Sequence, residues 1–225
     1  MAQAHAHPVE IPYDEQFAYA SGGKIGMWVF LVTDAMTFGG FLAAYGLIRV
    51  KLGSAWPNPA EHLGINLSAF ATFILICSSV SMVMSLAAGQ EKNRAGLLKW
   101  LGLTILGGVI FLSIQAYEYN HLVHKGVKFN SFTYLEKGAE HGEDSHHNEA
   151  NRITGVSQFG STFFIITGFH GMHVFSGVVY LLVIFFLASR GRYDDGNMNE
   201  VEIVGLFWHF VDLVWILVFT FIYLL

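Results

Sequence analysis

Charged residues are scarce in this chain. Asp, Glu, Lys and Arg make up 13% of its 225 residues, about half of what a soluble domain carries. Hydrophobic residues reach 53%, and the mean hydropathy is +0.47. The net charge of −5 is modest and spread among the loops, so there is no electrostatic argument for nucleic-acid binding. The composition therefore predicts a membrane protein.

Cysteine is also nearly absent. The one cysteine, Cys77, lies inside an apolar run; an intrachain disulfide is therefore impossible, and we expect it to pack as a small hydrophobic residue. The first 23 residues lack the basic and apolar regions of a signal peptide, so we expect the chain to insert through its own helices. No CxxCH or GxGxxG motif occurs. The chain is thus not expected to carry electrons.

Five apolar runs are long enough to cross a bilayer, which requires about 20 residues of helix. The fold class that they predict is all-α, a polytopic membrane helix bundle with five transmembrane helices in a single domain over residues 1–225, with a polar N-terminal arm at 1–23. The spans are expected at approximately 24–48, 65–88, 97–119, 158–188 and 203–225.

The connections between the spans differ in kind. Residues 90–94 and 190–199 are expected to form tight polar turns. Residues 120–157 are expected to form a long polar loop, in which His141, His146 and His147 lie among acidic residues. This cluster has no fixed ligand spacing, so a solvated loop is favoured over a divalent-metal site. Lys and Arg are nearly balanced between the two sides, with a slight lean toward a cytoplasmic N-terminus.

Two histidines occupy the fourth span near its middle. His170 and His173 are one turn apart, among Gly168, Gly171 and Gly177, which let a neighbouring helix approach closely. Polar groups in hydrocarbon are costly unless they face protein, water or a ligand. This helix is therefore expected to hold a partner group.

The first span also carries a polar group near its middle, the carboxyl of Asp34. It lies about 15 Å along the helix from the start of the span, where a carboxyl must be either protonated or paired. A neutral structural Asp and a proton-active carboxyl are equally favoured. Ala35, Gly39 and Ala43 recur every four residues, which predicts a close-packing seam.

The third and fifth spans carry the remaining polar groups. Glu118 lies near the end of the span that contains Gly107 and Gly108; it is expected to reach the lipid headgroups, with a proton relay as the alternative. In the fifth span, Trp208, Asp212 and Trp215 share a face. His209 is spaced to pair with Asp212 along the same helix, and both are expected to be mainly structural.

Three histidines within the spans allow a single haem between two helices as an alternative, but too few ligands remain for several redox centres. A stand-alone proton-conducting protein is a further alternative, using Asp34, His170, His173, His209 and Asp212 as its path. Neither an inverted repeat nor a matching pair of interrupted spans supports a transporter.

Four stretches resemble subunit III of the haem-copper oxidases. The strongest are TGFHGMHVFSG (Thr167–Gly177) and FWHFVDLVWILVF (Phe207–Phe219), supported by GKIGMWVFLVTDAMTFG (Gly23–Gly39) and GGVIFLSIQAYEY (Gly107–Tyr119). The resemblance covers about residues 22–225 apart from the long loop. It implies the five-helix bacterial form, without the two additional N-terminal helices of larger members. Asp34 stands where many cytochrome c oxidases look to have Glu.

The resemblance implies a non-catalytic subunit of a proton-pumping complex in the bacterial inner membrane, which reduces dioxygen to water. The chain would bind no haem, copper or other metal and would dock mainly on subunit I, in a complex that also contains subunit II. It would support proton uptake and the stability of subunit I, and phospholipid is a candidate ligand. Cytochrome c is the favoured electron donor. A quinol-oxidising complex and a nitric oxide reductase accessory subunit remain alternatives.

Overall fold

The computed structural model describes residues 21–57, 64–124 and 146–225, with side chains described from residue 158 onward in the last segment. Five long helices make up nearly all of it: α1 (Gly22–Leu52), α2 (Ile65–Gln90), α3 (Arg94–His124), α4 (His146–Ser189) and α5 (Asn199–Phe219). A short 3₁₀ turn, Gly53–Ala55, follows α1, and a π-helical turn, Thr220–Leu224, follows α5. All five helices are long and apolar enough to cross a membrane, which confirms the predicted fold class.

The helix ends follow local chemistry. The Ser21 side chain accepts a hydrogen bond from the backbone N–H of Lys24 and caps α1. The backbone N–H of Gly96 donates to Asn93 Oδ1 at 2.9 Å, which caps the start of α3. The turn between α4 and α5 contains Gly191 and Gly196 at φ values of 84° and 86°, where a side chain would be strained.

Both ends of the predicted loop over residues 120–157 are helical in the structure. Helix α3 continues to His124, and Leu122 in its last turn is buried. Helix α4 begins at His146, twelve residues before the expected span. A helix that is already nucleated extends at little cost until a helix-breaking residue intervenes, so it does not end where the apolar run ends. The remaining residues of that loop, and the arm at 1–20, lie outside the described residues.

The core lies around α5. Helices α2 and α3 form an antiparallel hairpin, and α4 packs against α3. Helix α5 contacts α1, α2 and α4 together, and it contributes the largest fully buried side chains, Trp208 and Trp215. Helix α1 is the least buried of the five within this chain. Its inner face meets α4 and α5, while the rest of its surface is exposed.

Candidate functional site: acid and histidine groups inside the bundle

Asp34 on α1 and His173 on α4 form a pair across two helices. Asp34 Oδ1 lies 3.3 Å from His173 Nε2, and the side chains are 7% and 11% exposed. His173 Nδ1 lies 2.8 Å from the carbonyl oxygen of Phe169, so this nitrogen carries a hydrogen and donates it. The Nε2 atom therefore faces the carboxyl, and a proton shared between the two would make either an ion pair or a neutral acid–imidazole pair, both without net charge.

Aromatic rings enclose this pair. The His173 ring lies 4.6 Å from Phe169, 5.5 Å from Phe38 and 6.5 Å from Phe207, measured between ring centroids. The rings make the surroundings apolar, and in a low local dielectric the hydrogen bond between Asp34 and His173 is stronger than in water. The second carboxyl oxygen of Asp34 has no hydrogen-bond partner among the described residues.

His170 faces a different neighbourhood from His173, although both belong to one motif. Its side chain is fully buried and packs against Trp215 at 4.8 Å and Phe111 at 5.8 Å. Neither of its ring nitrogens has a partner among the described residues. Sequence spacing placed the two histidines together, whereas the structure turns His173 toward α1 and His170 toward α3 and α5.

Glu118 does not reach the headgroups, contrary to the expectation from sequence. It is 6% exposed and accepts hydrogen bonds from Ser68 on α2 and from Tyr223 in the π-helical turn, both at 3.1 Å. The backbone N–H of Gly64 also faces this carboxyl. Helix α2 has no acidic residue in its first turn and no side-chain cap of its own. Glu118 therefore caps α2 from another helix, in the position where the helix dipole favours negative charge.

The predicted pairing of His209 with Asp212 is wrong, because both side chains face the same hydroxyl on α2. His209 Nδ1 lies 2.5 Å from Ser79 Oγ. The Ser79 hydroxyl also faces the Asp212 carboxyl, whose Oδ1 atom has no partner among the described residues. The motif thus joins α5 to α2, and the contact is supplied by a serine on a helix that carries no charged residue.

A second polar group joins α3 to α4 and was missed by sequence reasoning. Gln115 Nε2 donates to the carbonyl of Thr167 at 3.0 Å, and the hydroxyls of Tyr119 and Thr167 lie 2.6 Å apart. A Cβ on Gly168 or Gly171 would lie 3.7 Å from Tyr119 or 3.4 Å from Gln115, which is ordinary van der Waals contact, so this approach does not require glycine at either position. The four-residue spacing of Gln115 and Tyr119 on one face of α3 was the available signal.

The predicted packing glycines fall into two sets. Cβ atoms at Gly107 and Gly177 would lie 2.7 Å from Ser78 and 3.0 Å from Trp208, so both are sites of close helix approach. Gly39 has nothing within 4 Å of a Cβ position, and Ala35 and Ala43 are exposed beside it. The expected seam on α1 therefore packs against nothing in the described part of the chain.

The two tryptophans of α5 each donate to a neighbouring helix. Trp208 Nε1 donates to Ser78 Oγ at 3.1 Å, and Trp215 Nε1 donates to Thr72 Oγ1 at 2.9 Å. Both acceptors lie on α2, one and a half turns apart. This satisfies the only polar atom of each indole ring in the interior, so the shared face predicted for these residues binds α2.

At the end of the bundle where α1 and α5 begin, polar contacts close the surface. Lys24 forms an ion pair with Glu202, and Ser21 Oγ donates to Asn199 Oδ1 at 2.8 Å. In the turn before α5, Tyr193 donates to Glu200 at 2.6 Å. Burial, the hydrogen bond to Glu200 and its negative charge together raise the pKa of Tyr193 well above the usual value.

Metal ligands do not converge in the described part of the chain. No group of three or more His, Cys, Asp and Glu side chains that could hold a metal ion occurs among residues 21–57, 64–124 and 158–225. The three histidines of the spans face different neighbours: Asp34 for His173, aromatic rings for His170, and Ser79 for His209. The arrangement can hold and exchange protons and can bind neighbouring helices.

These observations define a class: a multi-pass helical membrane protein with acid and histidine side chains buried within the bundle, most of them hydrogen-bonded to a neighbouring helix. The sequence comparisons give the family. Residues 10–142 and 140–225 match the family described as Cytochrome c oxidase subunit III, and the chain belongs to that family. It is a subunit of a multi-subunit oxidase complex of the haem-copper type.

The alignments with curated relatives cover most of this chain and most of each relative. The chain is 35% identical over 202 residues to "Cytochrome c oxidase subunit 3" of Corynebacterium diphtheriae, and 31% identical over 202 residues to the protein of that name from Thermostichus vulcanus. It is 30% identical over 200 residues to "Probable cytochrome c oxidase subunit 3" of Nocardia farcinica. Each alignment covers 89% of this chain and 86% of the relative.

Proposed function

We propose that this chain sustains proton supply to the oxygen-reducing subunit of a cytochrome c oxidase, and that the Asp34–His173 pair is the group through which it acts. The pair is the observation that carries the proposal. It brings a carboxyl and an imidazole within 3.3 Å of each other inside the bundle, where one shared proton would leave the pair without net charge. A purely structural contact of this kind is expensive, since apolar residues of similar volume often hold a core together as well.

The proposed partners are subunit I, as the main contact, and subunit II, with haem and copper on those partners and none on this chain. The names of the relatives support cytochrome c as the electron donor. The proposed location is the bacterial inner membrane with the N-terminus on the cytoplasmic side. Lys and Arg in the short turns support this orientation only slightly.

A phospholipid is the proposed lipid ligand. A groove of about 290 Å³ runs between α2 and α5, from the Lys24–Glu202 ion pair down to His209. Its walls between these ends are mainly apolar, including Met82, Leu86 and Leu206. An apolar groove that opens toward hydrocarbon and ends at a charged pair fits an acyl chain with its headgroup at the surface.

The test is turnover of the purified oxidase complex that contains this subunit. Asp34→Asn keeps the shape of the side chain but cannot give up a proton. We expect the initial rate of dioxygen reduction to stay close to that of wild type, while the number of turnovers before inactivation falls severalfold. Met36→Leu, on the exposed surface of the same helix, is the matched control. Immediate loss of activity in an intact complex would contradict an accessory role.

The donor is tested on the same preparation. Reduced cytochrome c and a quinol are supplied in turn, and oxygen consumption is followed with each. We expect oxidation of cytochrome c alone. Oxygen consumption with quinol and not with cytochrome c would assign the complex to the quinol-oxidising class. If the chain were recovered alone and conducted protons in vesicles, the proposal would be wrong and the chain would be a stand-alone proton-conducting protein.

A further inference from the structure

His170 is a buried imidazole without a polar partner. Its exposed fraction is 0%, and neither ring nitrogen has a hydrogen-bond partner among the described residues. A neutral imidazole has one donor and one acceptor nitrogen, and leaving both unpaired in the interior costs free energy. A phenylalanine would pack against Trp215 and Phe111 without that cost. Aromatic packing therefore does not account for a histidine at this position.

Two more buried polar atoms on neighbouring turns lack partners in the described part of the chain, Asp34 Oδ2 and Gln115 Oε1. Gln115 Oε1 lies 3.4 Å from a Cβ position on Gly171, the residue after His170. Asp34 pairs with His173, one turn farther along α4. Both of these contacts fall within one helical turn of His170 on α4.

The surroundings restrict what can bind these atoms. Phe38, Phe111 and Trp215 line the space around the His170 ring, with centroids 6.3, 5.8 and 4.8 Å away. Any ligand here must be small, and to satisfy two oxygens and both imidazole nitrogens at least two molecules that donate and accept hydrogen bonds are needed. Water meets these requirements, and buried waters in proteins typically bond to such unpaired groups.

We propose that His170 is the centre of an internal water site that joins the Asp34–His173 pair to Gln115. From Gln115 the hydrogen bonds continue to Thr167 and Tyr119 near the end of α3. The inference rests on the proposed role of Asp34 and adds a group to it: water held at His170 hydrogen-bonds the free oxygen of the Asp34 carboxyl and so supports the pair.

The first test uses the intact wild-type oxidase complex. A cryo-EM map at about 2 Å resolves ordered waters, and hydrogen-bonded water lies within about 3.2 Å of its partner. We expect density at that distance from a His170 ring nitrogen and from Asp34 Oδ2 or Gln115 Oε1. A map that resolves waters elsewhere in the bundle but has none at His170 would overturn the proposal, whatever the variants of Asp34 do.

The second test separates hydrogen bonding from packing. His170→Phe keeps an aromatic ring and removes both nitrogens, while His170→Gln keeps a donor and an acceptor. We expect His170→Phe to shorten persistence during turnover about as much as Asp34→Asn, and His170→Gln to restore most of it. Met172→Leu, exposed on the same helix, is the control. Equal persistence for the Phe and Gln variants would refute a water-mediated role for His170, even if Asp34→Asn behaves as proposed.

Discussion

Trp208 occupies the space that a side chain at Gly108 would fill. A Cβ on Gly108 would lie 2.6 Å from Trp208 Cη2 and 2.7 Å from a methyl carbon of Val178, which is closer than atoms can pack. The same indole lies against Gly177 on α4 and donates to Ser78 on α2. One tryptophan of α5 thus fixes the spacing of three other helices.

Gly108→Ala is therefore expected to destabilise the bundle. The added methyl group must displace a fully buried indole ring, at a cost of about 1–3 kcal/mol for overpacking, which exceeds the gain of about 1 kcal/mol in helix propensity. The measurement is the temperature at which this subunit is released from the detergent-purified complex. Gly40→Ala is the control, because nothing lies within 4 Å of its Cβ position. A release temperature as high as that of wild type would contradict the assigned role of Gly108.

Asp34 and His173 are expected to be energetically coupled. Removing either partner leaves a buried polar group without its hydrogen bond, whereas replacing both by apolar residues removes the orphan as well. In a cycle of Asp34→Leu, His173→Leu and the double variant, each single change should lower subunit retention more than the double change. We expect a coupling of about 1–3 kcal/mol. Additive losses would show that the two side chains act independently.

Glu118 is expected to stabilise the start of α2. Glu118→Gln keeps the shape and one acceptor oxygen but replaces the other oxygen with an amide donor, which cannot accept from Ser68 or Tyr223 and should cost about 1 kcal/mol. Glu118→Leu leaves Ser68 and Tyr223 without their acceptor and should cost about 2–4 kcal/mol. The measurement is the temperature at which the subunit is released from the complex, by which the variants are ranked. Tyr223→Phe should fall between wild type and Glu118→Leu, and an unchanged Glu118→Leu would contradict the capping assignment.

Ser79 is expected to matter more than its small size suggests. Ser79→Ala leaves His209 and Asp212 without the hydroxyl that both face, so the interior gains two unpaired groups at about 1–3 kcal/mol each. Ser85→Ala is the matched control, since the Ser85 hydroxyl donates only to Met82 of its own helix. Subunit yield in the purified complex is the measurement. Equal yields for the two alanine variants would contradict the role assigned to the Ser79 hydroxyl.

The sequence predicted which polar residues enter the membrane but not always what they contact. Spacing along a helix predicts only neighbours on the same helix. It therefore predicts that His209 pairs with Asp212. The actual partner, Ser79, is 130 residues away in the chain and belongs to a serine-rich span without charge. The position of Glu118 at the end of an apolar run predicts contact with the headgroups. Its actual partners, Tyr223 and Ser68, belong to other helical segments, and the sequence around Glu118 does not indicate them.

The sequence by itself determined the five apolar helices, because a backbone in hydrocarbon must satisfy its hydrogen bonds internally and a helix does so within one segment. It also singled out Asp34, His170 and His173, because polar groups in such helices are costly. Only the tertiary structure decided that His173 meets Asp34 while His170, one turn away, lies among aromatic rings. The rotation of each helix about its axis depends on the fit of side chains such as Trp208 against glycines on other helices, and that fit has no signature in a single segment.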